Sequence, residues 1–264
     1  MQENKKIKVS IITPNYNGEK YLEETINSVI TQSCKKFEYI ILDGNSTDSS
    51  KDILERNRSK IDKIIISDDK GPYDAIDKGI RIAKGEIIIW INSDDILHKD
   101  AVRNVIMIFN SDKKLKWISG INSYIKNNIA FSFIPYIYPN LIIRKGFAHH
   151  NYWGFIQQES VSFKKKLYLQ SGGFKTKFGN AGDYHLWRVF SNLSSLKSFN
   201  IKIGYFRSWY GQNSVIQKDK YFADTGFRKN FISLRLVRTI ISIIFFPYLY
   251  FLTRNKLRKN KLQK

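Results

Sequence analysis

The sequence predicts an α/β fold: an open, mainly parallel sheet flanked by helices, followed by a basic amphipathic helical segment at the C-terminal end. The prediction rests on two observations. In residues 1 to 100, short runs rich in Val and Ile alternate with stretches of helical spacing. In residues 226 to 264, an apolar run lies between Arg and Lys residues.

The alternation in the first part defines the elements in order. Strands are predicted at 8 to 13, 37 to 43, 63 to 67 and 86 to 92, and the helical patterns between them at 19 to 32, 49 to 59 and 72 to 84. Only about four such units precede a change of pattern, so the sheet is predicted to be open rather than closed into a barrel.

The charge of the chain is distributed unevenly. Among 264 residues, 44 Lys and Arg stand against 23 Asp and Glu, for a formal net charge of +21. Residues 1 to 100 carry 16 basic and 18 acidic residues, whereas residues 101 to 264 carry 28 and 5. Such an excess favours nucleic acid, an anionic membrane or a phosphorylated substrate as partner. The single cysteine, Cys34, excludes an intramolecular disulfide framework and any multi-cysteine metal site.

Polar clusters follow all four predicted strands, and the sharpest is Asn92-Ser93-Asp94-Asp95. In open α/β sheets, ligands bind at the carboxyl ends of the strands. Two adjacent carboxylates there repel one another unless a cation or a helix N-terminus compensates, and Mg²⁺ or Mn²⁺ commonly combines one or two carboxylates with substrate phosphates. The alternative is that these residues only form turns and helix caps. Neither GxxxxGK[ST] nor GxGxxG is present, so a metal-bridged diphosphate is predicted.

Several motifs together resemble one family. They are KVSIITPNYNGEKYLEETINSVITQ at 8 to 32, YIILDGNSTDSS at 39 to 50 and SDDKGPYDAIDKGIRIAKGEIIIWINSDD at 67 to 95. The segment GFIQQESVSFKKKLYLQSGGFKTKFGNAGDYHLWRVF at 154 to 190 completes the set. This combination resembles the inverting family 2 glycosyltransferases of GT-A fold that use nucleotide-diphosphate sugars, in particular the bacterial surface-polysaccharide type.

The resemblance implies a donor site and a metal site. Pro14 and Tyr16 would line the nucleotide, Asp43 would accept a hydrogen bond from the base, and Lys70 would lie near the phosphates. The resemblance further implies that Arg207 covers the donor phosphates, that Asp94 contacts the nucleotide sugar, and that Asp94 and Asp95 bind Mn²⁺ or Mg²⁺. The family often has Asp where this chain has Asn92, so which of the two aspartates binds the metal directly stays open.

On the acceptor side, the resemblance implies that Asp183 is the catalytic base, because an inverting transferase needs one carboxylate to take the proton of the acceptor hydroxyl. Taken without the resemblance, an aspartate at a helix start is more simply an N-cap. Many relatives carry Glu or Asp before this aspartate, whereas here Gly182 precedes it. Glu159 and Trp153 are candidate acceptor contacts, with structural roles as the alternative.

Two domains are predicted: a glycosyltransferase domain over 1 to 225, with its donor half in 1 to 100 and its acceptor half in 101 to 225, and a membrane-associating tail over 226 to 264. The uncharged run at 239 to 253 has 15 residues, short of the roughly 20 that span a bilayer. A helix lying in the plane of an anionic membrane is therefore expected. Packing in a core or a dimer is the alternative.

The predicted function is transfer of a sugar, with UDP-sugars as first donors, to a hydroxyl of a saccharide or lipid-linked acceptor in bacterial polysaccharide synthesis. We expect the protein in the cytoplasm, peripheral at the inner face of the cytoplasmic membrane, with no nucleic acid partner. A metal-dependent nucleotidyltransferase is one alternative, although it usually shows a glycine-rich loop after the first strand. A basic nucleic-acid-binding protein is another, although none of the usual motifs is present.

Overall fold

The fold is built on a seven-stranded sheet. A computed structural model describes residues 8–149, 152–174, 176–210, 212, 218–226 and 234–259. The sheet has the order β10-β6-β9-β4-β1-β2-β3. Strands β4, β1, β2 and β3 run parallel, while β9 is antiparallel to both of its neighbours, β4 and β6. The predicted α/β fold with an open, mainly parallel sheet is confirmed.

The strands and helices have the following bounds in chain order. The strands are β1 Val9–Asn15, β2 Phe37–Asp43, β3 Lys63–Ile66, β4 Ile87–Trp90, β5 Ile96–Leu97, β6 Trp117–Ser119, β7 Ser123–Lys126, β8 Ile129–Ser132, β9 Val161–Lys164, β10 Lys197–Ser198 and β11 Gly204–Ser208. The helices are α1 Leu22–Ile30, α2 Ser50–Arg56, α3 Pro72–Ile82, α4 Ala101–Ser111, α5 Asn140–Arg144, α6 Lys165–Ser171, α7 Gly182–Leu193, α8 Lys218–Asp224 and α9 Arg235–Lys259. Short 3₁₀ turns cover Arg58–Lys60, Gln158–Ser160 and Thr176–Ala181.

The central strands are buried on both faces. Every residue of β1 and β4 is buried, as the near-continuous apolar runs of a parallel sheet require. One hydrophobic core, with Val9 and Ile89, packs against α1 and α4, while a second, with Ile12 and Ile88, packs against α3 and α7. Neighbouring residues of one strand thus point to opposite faces of the sheet and pack into different cores.

A second sheet has four strands in the order β5-β11-β7-β8, and its strand β5 follows β4 in the chain. Its strand β11 pairs antiparallel with β5 and parallel with β7. This pairing brings the C-terminal end of β11, with Arg207, to the loop that follows β4. Residues more than 100 positions apart in the sequence therefore meet at the carboxyl edge of the main sheet.

The C-terminal helix α9 runs over 25 residues, with Pro247 inside it. Of the described residues, only its segment Arg235–Arg258 forms a helix long and apolar enough to cross a membrane by length and composition. The estimate of 15 residues counted only the uncharged run, and the helix continues past Arg238 and Arg254 on either side of it, so the length argument against a span is overturned. Residues 227–233 and 260–264 of the predicted tail lie outside the described residues.

Candidate active site

The loop after β4 holds its two aspartates in different environments. Asp95 is fully buried, and its Oδ1 accepts the backbone N–H of Arg207 at 2.8 Å while its Oδ2 accepts the Asn92 amide at 3.1 Å. Asp94 is partly exposed, and its Oδ2 accepts the indole N–H of Trp209 at 3.0 Å. The carboxylate of Asp95 is therefore turned into the protein, and that of Asp94 lies at the rim of the strand end.

A third carboxylate, Glu159, is buried against this pair. Its Oε1 lies 3.5 Å from the Asn92 amide nitrogen, and only 4% of the residue is exposed. Burial raises the pKa of Asp95 well above its usual range, and the charges of Glu159 and Asp94 add to the effect. Burial likewise raises the pKa of Glu159 to about 7 and that of Asp94 above its usual range. The cluster therefore favours a bound proton or cation over three free negative charges.

Arg207 braces the same loop from β11. Its Nε donates to the backbone carbonyl of Asp94 at 2.8 Å, and its Nη2 donates to Glu24 at 2.6 Å. The guanidinium also lies over the ring of Tyr21, 4.2 Å from the centroid, and the residue is 5% exposed. These contacts fix the main chain of the aspartate loop. The predicted contact of Arg207 with donor phosphates stays a prediction.

The ends of β1 and β2 form a second polar group. Asp43 is buried, and its carboxylate accepts the Asn15 amide at 2.6 Å together with the N–H and hydroxyl of Ser46, each at 2.7 Å. An ionised carboxylate has about four acceptor positions, so one position remains for a further donor. The predicted contact of Asp43 with a nucleobase is compatible with this count.

Around that group lie the other predicted nucleotide contacts. Pro14 is a buried residue of β1, while Tyr16, just past the strand, is 64% exposed. A Cβ on Gly44 would lie 2.8 Å from Asp69 Oδ2 and 3.3 Å from the Tyr16 ring, so a side chain there would crowd both. The exposed Tyr16 ring is available for stacking, and its contact with the nucleotide stays a prediction. Lys70 is exposed in the turn before α3.

Asp183 is the second residue of α7 and is partly buried. Its Oδ1 lies 3.2 Å from the Tyr73 hydroxyl and 3.0 Å from the Tyr221 hydroxyl. Burial raises the pKa of Asp183, while the backbone N–H of Tyr184 and the two phenols oppose the rise. Tyr73 links Asp183 to the aspartate loop, because its ring contacts that of Trp90, whose indole N–H donates to Asn92 at 2.8 Å.

The two predicted acceptor contacts have different surroundings. Trp153 is 4% exposed, packs in the second hydrophobic core and donates its indole N–H to the Ile137 carbonyl at 2.9 Å. Its burial favours the structural role, and the acceptor contact of Trp153 stays a prediction. Glu159 is also buried, beside Asp95, which favours a supporting role under the aspartate loop over direct acceptor binding.

Four residues of the site were not predicted: Tyr73, Tyr221, Trp209 and Glu24. Tyr73 lies within the motif GPYDAIDKG, two residues before the buried Ala75 of α3. Nothing in that spacing predicts a contact with residue 183. Tyr221 and Trp209 reach the site through long-range packing. Such contacts leave no spacing pattern in a single sequence.

The aspartate loop suits a cation that is bound mainly by the phosphates of a nucleotide diphosphate. No group of three or more His, Cys, Asp or Glu side chains able to hold a metal ion occurs among the described residues. Asp94 alone is a partly exposed carboxylate at the strand end. One protein carboxylate completed by diphosphate oxygens and water is a common arrangement for Mg²⁺ and Mn²⁺. The residues present therefore fit a metal that arrives with a nucleotide diphosphate.

Residues 10–155, more than half of the chain, match the model of glycosyl transferase family 2. The chain belongs to this family. The matched residues include the ends of β1, β2 and β4, so the family assignment covers the polar strand ends described above.

Curated relatives in this family are longer than the chain. It is 28% identical over 215 residues to a chondroitin synthase of Escherichia coli, covering 80% of this chain and 30% of the relative. It is 27% identical over 217 residues to a hyaluronan synthase of Pasteurella multocida, covering 80% and 21%. It is 34% identical over 125 residues to a poly(ribitol-phosphate) beta-glucosyltransferase of Bacillus spizizenii, covering 44% and 20%. The chain thus spans less than a third of the length of these relatives.

Solved structures share the fold. TarS 1-349 of S. aureus in complex with UDP-GlcNAc aligns with a TM-score of 0.66 at 18% identity, covering 82% of this chain and 64% of that one. The mannosyltransferase PcManGT of Pyrobaculum calidifontis, in complex with GDP-Man and Mn²⁺, aligns with a TM-score of 0.62 at 17% identity, covering 97% and 76%. At these identities the likeness supports the fold alone.

Proposed function

We propose that this family 2 protein is an inverting glycosyltransferase. It would move a sugar from a nucleotide-diphosphate sugar, with UDP-sugars as first candidates, to a hydroxyl of a saccharide or lipid-linked acceptor in bacterial polysaccharide synthesis. The observation that carries the proposal is the chain of contacts from Asp183 at the start of α7, through Tyr73 and Trp90, to Asn92 in the aspartate loop after β4. Two of the relatives, a chondroitin synthase and a poly(ribitol-phosphate) beta-glucosyltransferase, support the same class of reaction.

In this mechanism Asp183 accepts the proton of the acceptor hydroxyl while the oxygen of that hydroxyl attacks the anomeric carbon. The bond between that carbon and the diphosphate oxygen breaks on the opposite face, so the nucleoside diphosphate leaves and the configuration inverts. The exposed Lys70 would contribute positive charge near the phosphates, and Tyr16 would stack on the nucleobase. Asp43 would accept a hydrogen bond from the base.

We propose Asp94 as the protein ligand of a divalent cation, Mn²⁺ or Mg²⁺. Asp95, enclosed by Arg207 and Asn92, would hold the loop in shape and would not bind the cation directly. When bound, such an ion neutralises the charge of the departing diphosphate. The raised pKa of Asp94 supports the assignment, because burial without a compensating cation disfavours its ionised form.

The direct test is a panel of UDP-glucose, UDP-GlcNAc and GDP-mannose, each with MnCl₂ or MgCl₂. Thermal stabilisation by one donor, dependent on the metal, together with slow release of the nucleoside diphosphate, is the expected result. If the donors are cleaved only when pyrophosphate is added, giving sugar 1-phosphate and the nucleoside triphosphate, the protein is a nucleotidyltransferase instead. If no donor stabilises the protein and none is hydrolysed, the proposed activity is wrong.

We further propose that α9 lies on an anionic membrane, because large apolar side chains cover its outward face. The residues that face the protein are both apolar and polar: Leu249, Arg238, Ser242 and Thr253 have exposures of 6%, 7%, 0% and 3%. Ser242 accepts the N–H of Ile137 at 3.2 Å and Thr253 accepts that of Asn200 at 2.9 Å. Facing outward are large apolar side chains: Leu236, Ile240, Ile243, Ile244, Phe245, Tyr248 and Phe251. Soluble surface helices bury their apolar stripe instead.

Charge favours a lipid surface as the partner of this face. Arg235, Arg254 and Arg258 are exposed along α9, and the chain has no acidic residue after Asp224. Basic side chains beside an apolar face bind anionic headgroups while the face enters the acyl boundary. The proposed location is therefore the inner face of the cytoplasmic membrane. Nucleic acid is not a proposed partner, because the apolar face between these arginines would remain uncovered.

A further inference from the structure

Two tyrosine hydroxyls from separate parts of the chain meet at one oxygen of Asp183. Tyr73 comes from the first turn of α3, and Tyr221 comes from α8. Both lie within hydrogen-bonding distance of Oδ1, at 3.2 and 3.0 Å. No side-chain donor to Oδ2 occurs among the hydrogen bonds of the described residues. The two carboxylate oxygens are therefore differentiated.

We propose that Tyr73 and Tyr221 are positioning residues for the base: they hold Oδ1, leave Oδ2 to receive the acceptor proton, and keep the carboxylate ionised. This inference rests on the proposed function of Asp183 as base. Hydrogen bonds to an ionised carboxylate favour the ionised form and fix its plane. Both effects are needed here, because burial acts against ionisation of Asp183.

Tyr73 has a choice of acceptors. Its hydroxyl lies 3.0 Å from the carbonyl of Asn180 and 3.2 Å from Asp183 Oδ1, and its single proton can be given to one of them at a time. An ionised carboxylate is the stronger acceptor, so the proton turns to Asp183 when Asp183 is charged. When Asp183 has taken the acceptor proton, the carbonyl remains as the alternative acceptor.

Tyr73 also connects the base to the donor side. Its ring packs edge-on against Trp90 at 5.8 Å between centroids, and the Trp90 indole N–H donates to Asn92 at 2.8 Å. A Cβ on Gly182 would lie 2.8 Å from the Tyr73 ring, so a side chain there would displace the tyrosine. Gly182, directly before Asp183, thereby makes room for the Tyr73 hydroxyl to reach the carboxylate.

Tyr221 is held in place by the end of its own helix. The Asp224 Oδ2 accepts the backbone N–H of Asn180 at 2.8 Å, and the Asp224 carbonyl lies 2.9 Å from Nε2 of His185. A Cβ on Gly179 would meet Asp224 at 2.4 Å, so the loop before α7 approaches α8 closely. Helix α8 therefore contacts the chain both before and after Asp183, at Asn180 and His185. These contacts fix the position from which Tyr221 reaches Asp183.

The test is an NMR titration of the full chain with ¹³C-labelled aspartate, in which Asp183→Asn assigns the signal of residue 183. We expect Tyr73→Phe and Tyr221→Phe each to raise the Asp183 titration midpoint by about one pH unit, because each removes a donor to the charged form. Tyr184→Phe is the matched control: Tyr184 is adjacent in the same helix, but its hydroxyl donates to the Gly146 carbonyl. It should leave the midpoint unchanged.

A second readout separates positioning from general damage. With UDP-GlcNAc and MnCl₂, the two Phe variants should lower kcat of donor hydrolysis about tenfold at acidic pH with KM within about twofold, since one pH unit of base titration is tenfold in ionised fraction. Identical Asp183 midpoints in wild type, Tyr73→Phe and Tyr221→Phe would overturn the inference. The titration needs no donor, so a failure of the proposed activity is recognised separately in the donor panel.

Discussion

The indole N–H of Trp209 lies 3.0 Å from Oδ2 of Asp94, whereas the adjacent Asp95 is closed off by the backbone of Arg207. This contrast predicts different outcomes for two similar substitutions. Asp94→Asn should weaken Mn²⁺-dependent binding of UDP at least about tenfold, or ~1.4 kcal/mol, because the amide is a poor ligand for a hard cation. Isothermal calorimetry with UDP, with and without MnCl₂, measures the effect.

Asp95→Asn is the matched control for that measurement. The Asn side chain keeps a carbonyl oxygen for the N–H of Arg207 and loses only the oxygen that accepts the Asn92 amide, so the loop should largely hold its shape. We expect metal-dependent UDP binding within about threefold of wild type, less than ~1 kcal/mol. Equal losses in the two variants would show that both carboxylates bind the metal.

The buried carboxylates predict an unusual pH dependence of stability. Burial raises the pKa of Glu159 from 4.5 to about 7, so the folded protein binds its proton more tightly than the unfolded chain does. The free energy of unfolding should therefore fall as pH rises from about 4.5 to 7, by up to about 3 kcal/mol. Urea denaturation at pH 5 and pH 7.5, in the presence of EDTA, measures the change.

Glu159→Gln should flatten this dependence, because the amide does not titrate and no longer repels Asp95. Glu86→Gln is the control, since that side chain is 56% exposed and lies 3.9 Å from Lys8 in a weak surface pair. It should leave the slope as in wild type. A Glu159→Gln slope equal to that of wild type would assign the pH dependence to other groups.

The sequence was most informative where function depends on local order. Strand ends are read directly from Val and Ile runs followed by polar turns, so Asp43, Asp94 and Asp95 were predicted at the correct edge of the sheet. Burial beyond the strands could not be read in this way. Trp153 and Glu159 precede β9, the strand that pairs antiparallel with β4, and only the packed structure shows that both are buried.

The surroundings of Asp183 show the same limit more clearly. Its position at a helix start was predicted, and the helix begins one residue before it. Its donors come from positions 110 residues earlier and 38 residues later in the chain. No periodicity links such positions, because tertiary packing alone brings α3, α7 and α8 together. The sequence therefore located the proposed base and left its hydrogen-bond partners undetermined.

Replacement of the base predicts a separation of binding from chemistry. Asp183→Asn should reduce sugar transfer by a factor of about 10² to 10⁴, the usual contribution of a general base, with donor binding unchanged. Because burial raises the pKa of Asp183, the wild-type rate should fall at a pH above the ordinary aspartate value of 3.8 as the solution is acidified. Initial rates across pH, with UDP binding measured in parallel, check both statements.

The outward face of α9 gives the prediction that decides between membrane and dimer. Ile243→Ser, Ile244→Ser and Phe251→Ser in one variant should reduce binding to phosphatidylcholine–phosphatidylglycerol vesicles at least about 100-fold. Each buried apolar side chain contributes about 1.5 to 3 kcal/mol. These residues are 58%, 67% and 63% exposed, so the fold should be retained. Vesicle sedimentation, repeated at high salt to test the arginine contribution, measures the loss.

The matched control for α9 replaces two exposed leucines elsewhere. Leu169 and Leu193 are 48% and 39% exposed in other helices, so Leu169→Ser with Leu193→Ser removes apolar surface and leaves α9 intact. This control should bind vesicles as wild type does. If the α9 variant binds vesicles normally but changes from dimer to monomer in sedimentation velocity, the apolar face is a contact between two copies. The exposed apolar face of α9 would then serve assembly, and the arginines beside it would lack an anionic lipid partner.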